Sequence, residues 1–464
     1  MTIITLGSAS ENSVLLKTYK QILAALVSSL LSVCAGQAFG HSATLLPQLK
    51  NDPDFPYDES YSSWIAAITP LSMVIGCLFS GTIVDNFGRK AGHIFLSFFF
   101  LFSWLVLAFA TDNIFLLIGR ALSGIGVGAI RPIALVYLGE VTDPKYRGLA
   151  LMCPSMSLCL GIIINHAIGG YVHWRTSCLI SCVPCALCAV MTLFLKESPL
   201  WLIARGKIDQ GAELFKWFRG DGEAAMKELN EMLERQKEKE DKSLLRELFQ
   251  MHYLKPIIIV TLLAAATQFC GVNVLTFYAQ DILEKTFPGK IDAFAIMLVS
   301  DFMRLLTNSI ICFLGKVLPR RLTFIFFNFG TSATLFILVG YLYINPDNLM
   351  WLSVLLIMVY TSFGSGVVCL GWSFVPELFP AALRGLCSGF ISAISFFLLF
   401  INVKITPSIM ATYGEMSMYA AFGILTLLNT FVLCFILPET NGRSLQDIED
   451  SYKKNTGNVM VSKL

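Results

Sequence analysis

Twelve apolar stretches, each long enough to cross a bilayer, constrain this chain more than any other feature of its sequence. They lie near 21–46, 64–84, 93–111, 114–139, 149–171, 177–195, 256–280, 291–314, 322–343, 349–375, 386–409 and 417–437. A crossing helix needs about 20 apolar residues. Backbone amides left unpaired in hydrocarbon are so costly that each stretch has little alternative to a helix. Only 14% of the 464 residues are charged and 55% are hydrophobic, more apolar surface than a water-facing domain could hide. The expected class is an all-α membrane protein whose surroundings are the lipid bilayer.

Composition also narrows the chemistry. The 34 basic and 32 acidic residues nearly balance, giving no support to a nucleic-acid partner. All 13 cysteines fall in apolar runs, which argues against a disulfide framework. Cys182, Cys185 and Cys188 have a metal-like spacing, but no histidine or acid lies near them in the run, so helix packing is the better reading. The chain carries no HExxH, GxSxG, phosphate-loop or dinucleotide fingerprint, so neither an enzyme nor a cofactor is expected. Residues 1–20 show no cleavable signal pattern.

The spans divide into two sets of six. The expected plan is an N-terminal segment (1–20), a first bundle (21–195), a linker (196–255), a second bundle (256–437) and a tail (438–464). With both termini cytosolic, inward segments carry fourteen Lys and Arg residues against five on outward connections, which sets the orientation. The linker holds 24 of the chain's charged residues, punctuated by Leu229, Leu233, Leu244, Leu245 and Leu248 at helix-like intervals. Short amphipathic helices are expected there, with a disordered linker as the alternative.

Charges repeat between the halves. Glu140 precedes Arg147 by seven residues, as Glu377 precedes Arg384. The segment Asp85 to Lys90, with Arg89, joins spans two and three, as the segment Lys316 to Arg321, with Arg320, joins spans eight and nine. Glu197 closes span six and Glu439 closes span twelve. Three ordered matches imply two homologous, pseudo-symmetric bundles. All these charges lie at inner helix ends, where a gate could make and break pairs worth about 1–4 kcal/mol each. Anchoring to lipid headgroups is the alternative.

At this point the sequence resembles the sugar porter family of the major facilitator superfamily, with its insect trehalose-transporter-like members. The resemblance rests on Gly81 to Lys90, Gly119-Arg120, Tyr137 to Gly148, Glu197 to Leu202, Gln268 to Tyr278, Glu377 to Gly385 and Pro438 to Leu445, in order along nearly the whole chain. It implies a major facilitator fold of twelve helices. It implies alternating-access transport of a neutral sugar, a hexose or trehalose, in a multi-pass protein of the plasma membrane. Gln268 and Asn273 then look like ligands of sugar hydroxyls, Trp372 like an indole lining the site, and Asp85, Arg89, Glu140, Arg147, Arg320, Arg321, Glu377 and Arg384 like an inner gate.

The residues support part of this independently. Amides can replace the hydrogen bonds a sugar loses on entry without adding charge. Five residues of ideal helix would set Gln268 and Asn273 about 140° apart. Gly271 between them could allow local unwinding, while helix-packing amides are the alternative. Where the family has a further glutamine, this chain has Thr267 and, in span five, Ser155.

Four charges lie at membrane depth: Arg120, Arg131, Asp301 and Arg304. Arg120 fits the family pattern. Asp301 and Arg304, three apart, are expected to neutralise each other, with a cavity role for Arg304 toward an anionic solute as the alternative. Arg131 has no local acid and must find a partner elsewhere. Proton-linked members of the family commonly carry an aspartate in span one against the arginine represented here by Arg120. Span one here has no acidic residue, so the resemblance implies passive exchange ahead of proton coupling, with Asp301 leaving the alternative open. A sugar sensor without flux is the other alternative.

Overall fold

The computed structural model describes residues 3–237, 251–287, 289, 292–314, 318–344, 349–374, 378 and 384–439. The first half comprises α1 (Ile3–Asn51), α2 (Glu59–Phe87), α3 (Arg89–Ala108), α4 (Asn113–Ile130) continued through a π-helical turn into α5 (Val136–Val141), α6 (Pro144–Tyr171) and α7 (Trp174–Leu193). Three short helices follow: α8 (Pro199–Ala204), α9 (Ile208–Arg219) and α10 (Glu223–Lys237). The second half comprises α11 (Met251–Phe269), α12 (Val272–Thr286), α13 (Ala293–Leu314), α14 (Arg320–Ile344), α15 (Met350–Phe374), α16 (Arg384–Tyr413) and α17 (Glu415–Ile436). Twelve membrane spans result, since α4 with α5, and α11 with α12, each make one crossing. Several helices outrun their apolar windows by a few residues because polar ends still hydrogen-bond as helix in the headgroup zone.

The two bundles meet along three seams. Span two packs on span eleven (α2 on α16), span five on span eight (α6 on α13), and span one on the second part of span seven (α1 on α12). Exchanging each span for the one six places away maps this set of seams onto itself, the signature of a pseudo-twofold axis. Small residues let the backbones approach within the first bundle: a Cβ at Gly36 would lie 2.0 Å from Leu158 O, and one at Gly76 2.1 Å from Ile125 O. Phe79, Phe98, Phe102, Phe313, Phe326 and Phe435 face outward, as lipid-facing side chains should. The thiols of Cys182 and Cys185 donate to carbonyls of their own helix and Cys188 to Val27 O of α1, so their threefold spacing serves packing of α7.

The repeat is visible in the cap that starts the third span of each half. Gly88, at φ +97°, turns the chain so that the Glu197 carboxylate reaches the N-terminus of α3 and accepts from Arg89 N at 2.8 Å and Lys90 N at 3.1 Å. In the second half Glu439 accepts from Arg320 N and Arg321 N at 3.2 Å each. Lys90 Nζ donates to Leu193 O as Arg321 Nη2 donates to Cys434 O. Each carboxylate satisfies orphan donors and faces the positive end of a helix dipole. Glu197→Ala and Glu439→Ala are each expected to lower stability by about 1–2 kcal/mol. The readout is the melting temperature of the purified protein, and an unchanged value would show that these carboxylates do not carry the cap.

Helices α8 to α10 form a small layer against the first bundle, on what we term the linker face; the opposite face is distal. Ile203, Phe215 and Leu229 are its core. Lys20 Nζ and Gln21 Nε2 of α1 donate to Trp217 O and Phe218 O, each at 3.0 Å, tying α9 to the first span. Leu244, Leu245 and Leu248 lie outside the described residues.

Candidate functional site

Span seven is broken at its middle. Helix α11 ends at Phe269, and Gly271 takes φ +77°, a left-handed conformation that side-chain-bearing residues avoid, before α12 starts at Val272. A helix that stops inside a membrane leaves its last carbonyls without N–H partners where there is no water to replace them. Each is met here by a side chain. Asn273 Nδ2 donates to Thr267 O (3.4 Å), Asn402 Nδ2 to Gln268 O (3.0 Å), Thr426 Oγ1 to Phe269 O (3.1 Å) and Tyr360 Oη to Cys270 O (2.9 Å). On the restarting side Arg304 Nη2 donates to Val272 O at 2.9 Å.

The break brings the two amides together: Asn273 Nδ2 lies 3.0 Å from Gln268 Oε1. Gln268 Nε2 donates to Ser395 Oγ at 2.8 Å and to Thr267 Oγ1 at 3.3 Å. Thr267 packs its methyl on Gly371, where a Cβ would come within 2.5 Å. The cluster is buried and uncharged. Its donors and acceptors satisfy one another in this form, and a polyhydroxylated solute can exchange for them bond by bond.

Trp372 and Ser155 stand apart from this cluster. Trp372, near the linker end of α15, has Arg131 Cζ 3.9 Å from its ring centre and Phe396 at 6.1 Å. Arg131 begins the π-helical turn Arg131–Leu135, where Pro132 supplies no backbone donor. The partner that sequence left open for Arg131 is thus an aromatic face in the other bundle. Ser155 is exposed and, among the described residues, makes no hydrogen bond to the amides. It shares a helical face with Cys159 and His166, which meet Asn308 and Asp301 of α13.

Asp301 and Arg304 do not neutralise each other. Asp301 Oδ2 lies 2.5 Å from His166 Nδ1 across the bundle seam, while Arg304 serves the Val272 carbonyl at the helix break. Tertiary partners on α6 and α12 outcompete the local i, i+3 contact, because each buried charge needs short hydrogen bonds, which a neighbour on the same helix need not supply. Arg120 is fully buried and donates to Ala38 O, Ile65 O and Ser42 Oγ, joining α1, α2 and α4. His166, Ser395, Asn402 and Tyr360 were not singled out from sequence; the signal available was a polar residue inside an apolar run.

On the linker face Arg89 makes a two-pronged contact with Glu140, Nε to Oε2 at 3.0 Å and Nη2 to Oε1 at 2.9 Å, and lies 3.4 Å from Asp85. Arg147 Nη2 reaches Glu228 of α10 at 3.4 Å, and Arg219 of α9 bridges Glu228 and Glu140 O. These linker-face ion pairs of Arg89, Arg147 and Arg219 therefore lie within the first half and its linker helices. Glu377 and Lys316 lie outside the described residues, as does the side chain of Arg384. The distal face is closed: Phe294 packs on Tyr171 and against Gly170, Trp64 lies 6.3 Å from Phe400, and Lys404 Nζ donates to Ser63 Oγ at 2.7 Å.

Two helical bundles related by a pseudo-twofold, a polar cluster at a broken helix between them and contacts closing one face define a membrane carrier. Comparison with known proteins gives the family. The model of the sugar (and other) transporter family matches residues 15–452, and the chain belongs to that family. Among similar sequences, the facilitated trehalose transporter Tret1 of Polypedilum vanderplanki is 28% identical over 93% of this chain and 88% of its own length. A Tret1-2 homolog of Drosophila simulans is 27% identical over 96% of this chain and 93% of its own. Among solved structures, the major facilitator superfamily proton:xylose symporter XylE bound to 6-bromo-6-deoxy-D-glucose covers 94% of this chain and all of its own, with a TM-score of 0.77 at 20% identity. An inward open form of XylE from E. coli gives 0.76 at 19% identity, covering 92% of this chain and 98% of its own. The fold is that of the major facilitator superfamily, and the protein is a membrane transporter.

Proposed function

We propose that this transporter carries a neutral sugar, a hexose or trehalose, passively by alternating access. The linker face is cytosolic and the membrane is the plasma membrane. The observation that carries the reading is the uncharged cluster of Gln268, Asn273, Thr267 and Ser395 at the break in span seven. Hydroxyl groups can take the place of its internal bonds at little net cost, whereas a charged solute would enter with no compensating side chain in the cluster. Arg304, held on the Val272 carbonyl, does not supply one. The named trehalose-transporter relatives support the substrate class, and the excess of basic residues on the linker face supports the orientation.

Asp85, Arg89, Glu140 and Arg147, with Arg320, Arg321, Glu377 and Arg384, form the cytosolic gate, and Glu197 and Glu439 hold the ends of α3 and α14 that carry part of it. The pairs of the first half are made within it when the distal face is closed. Full closure of the cytosolic face would bring them against the second half, beyond the Arg131–Trp372 contact that already narrows this side.

Radiolabelled trehalose and glucose uptake into proteoliposomes tests the reading. Wild-type protein is expected to equilibrate at least one of them, and a protonophore to leave the plateau unchanged. Gln268→Ala removes a donor and an acceptor from the cluster and is expected to lower the rate about tenfold or more. Absence of flux for every neutral sugar, with the protein folded, would point instead to a sensor.

A further inference from the structure

His166 lies on α6 of the first bundle and Asp301 on α13 of the second, with Nδ1 2.5 Å from Oδ2. The other ring nitrogen, Nε2, lies 3.0 Å from the carbonyl oxygen of Gly40 on α1. His166 is fully buried and Asp301 is 6% exposed. A carbonyl only accepts, so Nε2 must carry a hydrogen. A second hydrogen must lie between Nδ1 and Oδ2, since two lone pairs at that distance repel. Whether it rests on ring or carboxyl does not alter the count. Imidazolium with carboxylate, and imidazole with carboxylic acid, hold the same one proton beyond the neutral ring and the ionised acid.

We propose that His166 and Asp301 form a proton-binding site that latches the two bundles together toward the distal side. His41 on α1, Arg120 on α4, Cys178 on α7, Cys159 on α6 and Arg304 on α13 are the titratable or charged groups around it. The two arginines are committed to backbone carbonyls, Arg120 to Ala38 O and Arg304 to Val272 O. His41 faces Cys178 and Trp104 within the first bundle. The cross-bundle bond therefore depends on the proton of the pair itself.

The sign of the pH effect follows from counting protons. In water a free imidazole is neutral above about pH 6.5 and a free carboxyl is ionised above about pH 4, and a distal-open form would part the two groups and admit water to them. Closing the distal face at neutral or alkaline pH thus takes up one proton. Each unit of pH rise there disfavours the closed form by up to about tenfold. Between about pH 4 and 6.5 a free imidazole in water already holds a proton, so the dependence is expected to flatten there. Both partners are buried in the closed form, so the proton leaves by the side it entered. The site tunes the carrier to distal pH without driving accumulation, and this does not depend on which solute is carried.

Hydrogen–deuterium exchange of the full chain in lipid nanodiscs tests it without any solute, once the intrinsic pH dependence of exchange is divided out. Peptides around Tyr171 and Phe294 report distal opening. In the wild type, opening is expected to rise by up to about tenfold per unit from pH 7 to 8.5. Asp301→Asn lets an amide donate to Nδ1 without titrating, so these peptides should stay protected at every pH. Asp301→Ala should leave them open at every pH. A flat wild-type profile, or an Asp301→Asn profile as steep as wild type, would overturn the proposal. Should either variant fail to fold, the wild-type slope alone decides.

Discussion

Replacing Gly271 with alanine is expected to abolish transport and to cut sharply the yield of folded protein. Its φ of +77° is left-handed, which costs an alanine about 1–2 kcal/mol. The added Cβ would stand 2.6 Å from Phe422 Cδ2 and 2.7 Å from Tyr360 Oη. Overpacking of this kind adds about 1–3 kcal/mol. Relief requires Tyr360 to give up Cys270 O, or the helix to rewind and part Asn273 from Gln268. Either route damages the amide cluster as well as the fold. A Cβ added at Gly340, in α14, would meet nothing within 4 Å, so Gly340→Ala serves as the matched control and is expected to be neutral. Size-exclusion recovery and proteoliposome flux of the two variants give the comparison. Equal behaviour would mean that the break at span seven tolerates a regular helix.

The same region illustrates what sequence can and cannot disclose. The twelve spans were legible because lipid leaves a backbone one choice, and the apolar runs state it directly. The meeting of Gln268 and Asn273 was legible as a possibility, through a glycine between two amides that an unbroken helix would separate. The carbonyl partners Asn402, Thr426 and Tyr360 were not, since they come from three other helices with no local pattern linking them to the break. The matched spacing of Glu197 and Glu439 points to a gate. Their carboxylates cap α3 and α14, so part of the repeated charge pattern records how each half is built. The i, i+3 rule suggested a bond between Asp301 and Arg304. That rule weighs neighbours on one helix, whereas a helix buried between two bundles offers each charge a better-placed partner on another. One histidine in an apolar run has no periodicity to mark it, and only α13 opposite gives His166 a role.

Replacing Arg131 with glutamine is expected to open the linker-face route by up to about thirtyfold. The guanidinium comes from the first bundle and the Trp372 indole from the second, with 3.9 Å between them. A desolvated cation–π contact is worth about 2 kcal/mol, which corresponds to roughly that factor. The pair lies on the linker side of the amide cluster, because Trp372 is near the linker end of α15. Cys369, one turn before Trp372, is a native reporter for a thiol reagent that does not cross membranes. Supplied from the linker side, the reagent should label Cys369 faster in Arg131→Gln. Arg131→Lys keeps a cation but not the flat guanidinium, and so separates charge from stacking. Labelling at the wild-type rate in Arg131→Lys would assign the latch to charge, and faster labelling would assign it to guanidinium stacking. No change in either variant would remove the latch. The pair also bears on solute passage. On the proposed reading, a sugar ring stacked on the Trp372 indole would need the surface that Arg131 now covers, so that arrival of solute and retention of this contact would compete for one face. Release of Arg131 by the solute itself would then couple occupancy of the site to opening of the linker face, with no further moving part between the two events.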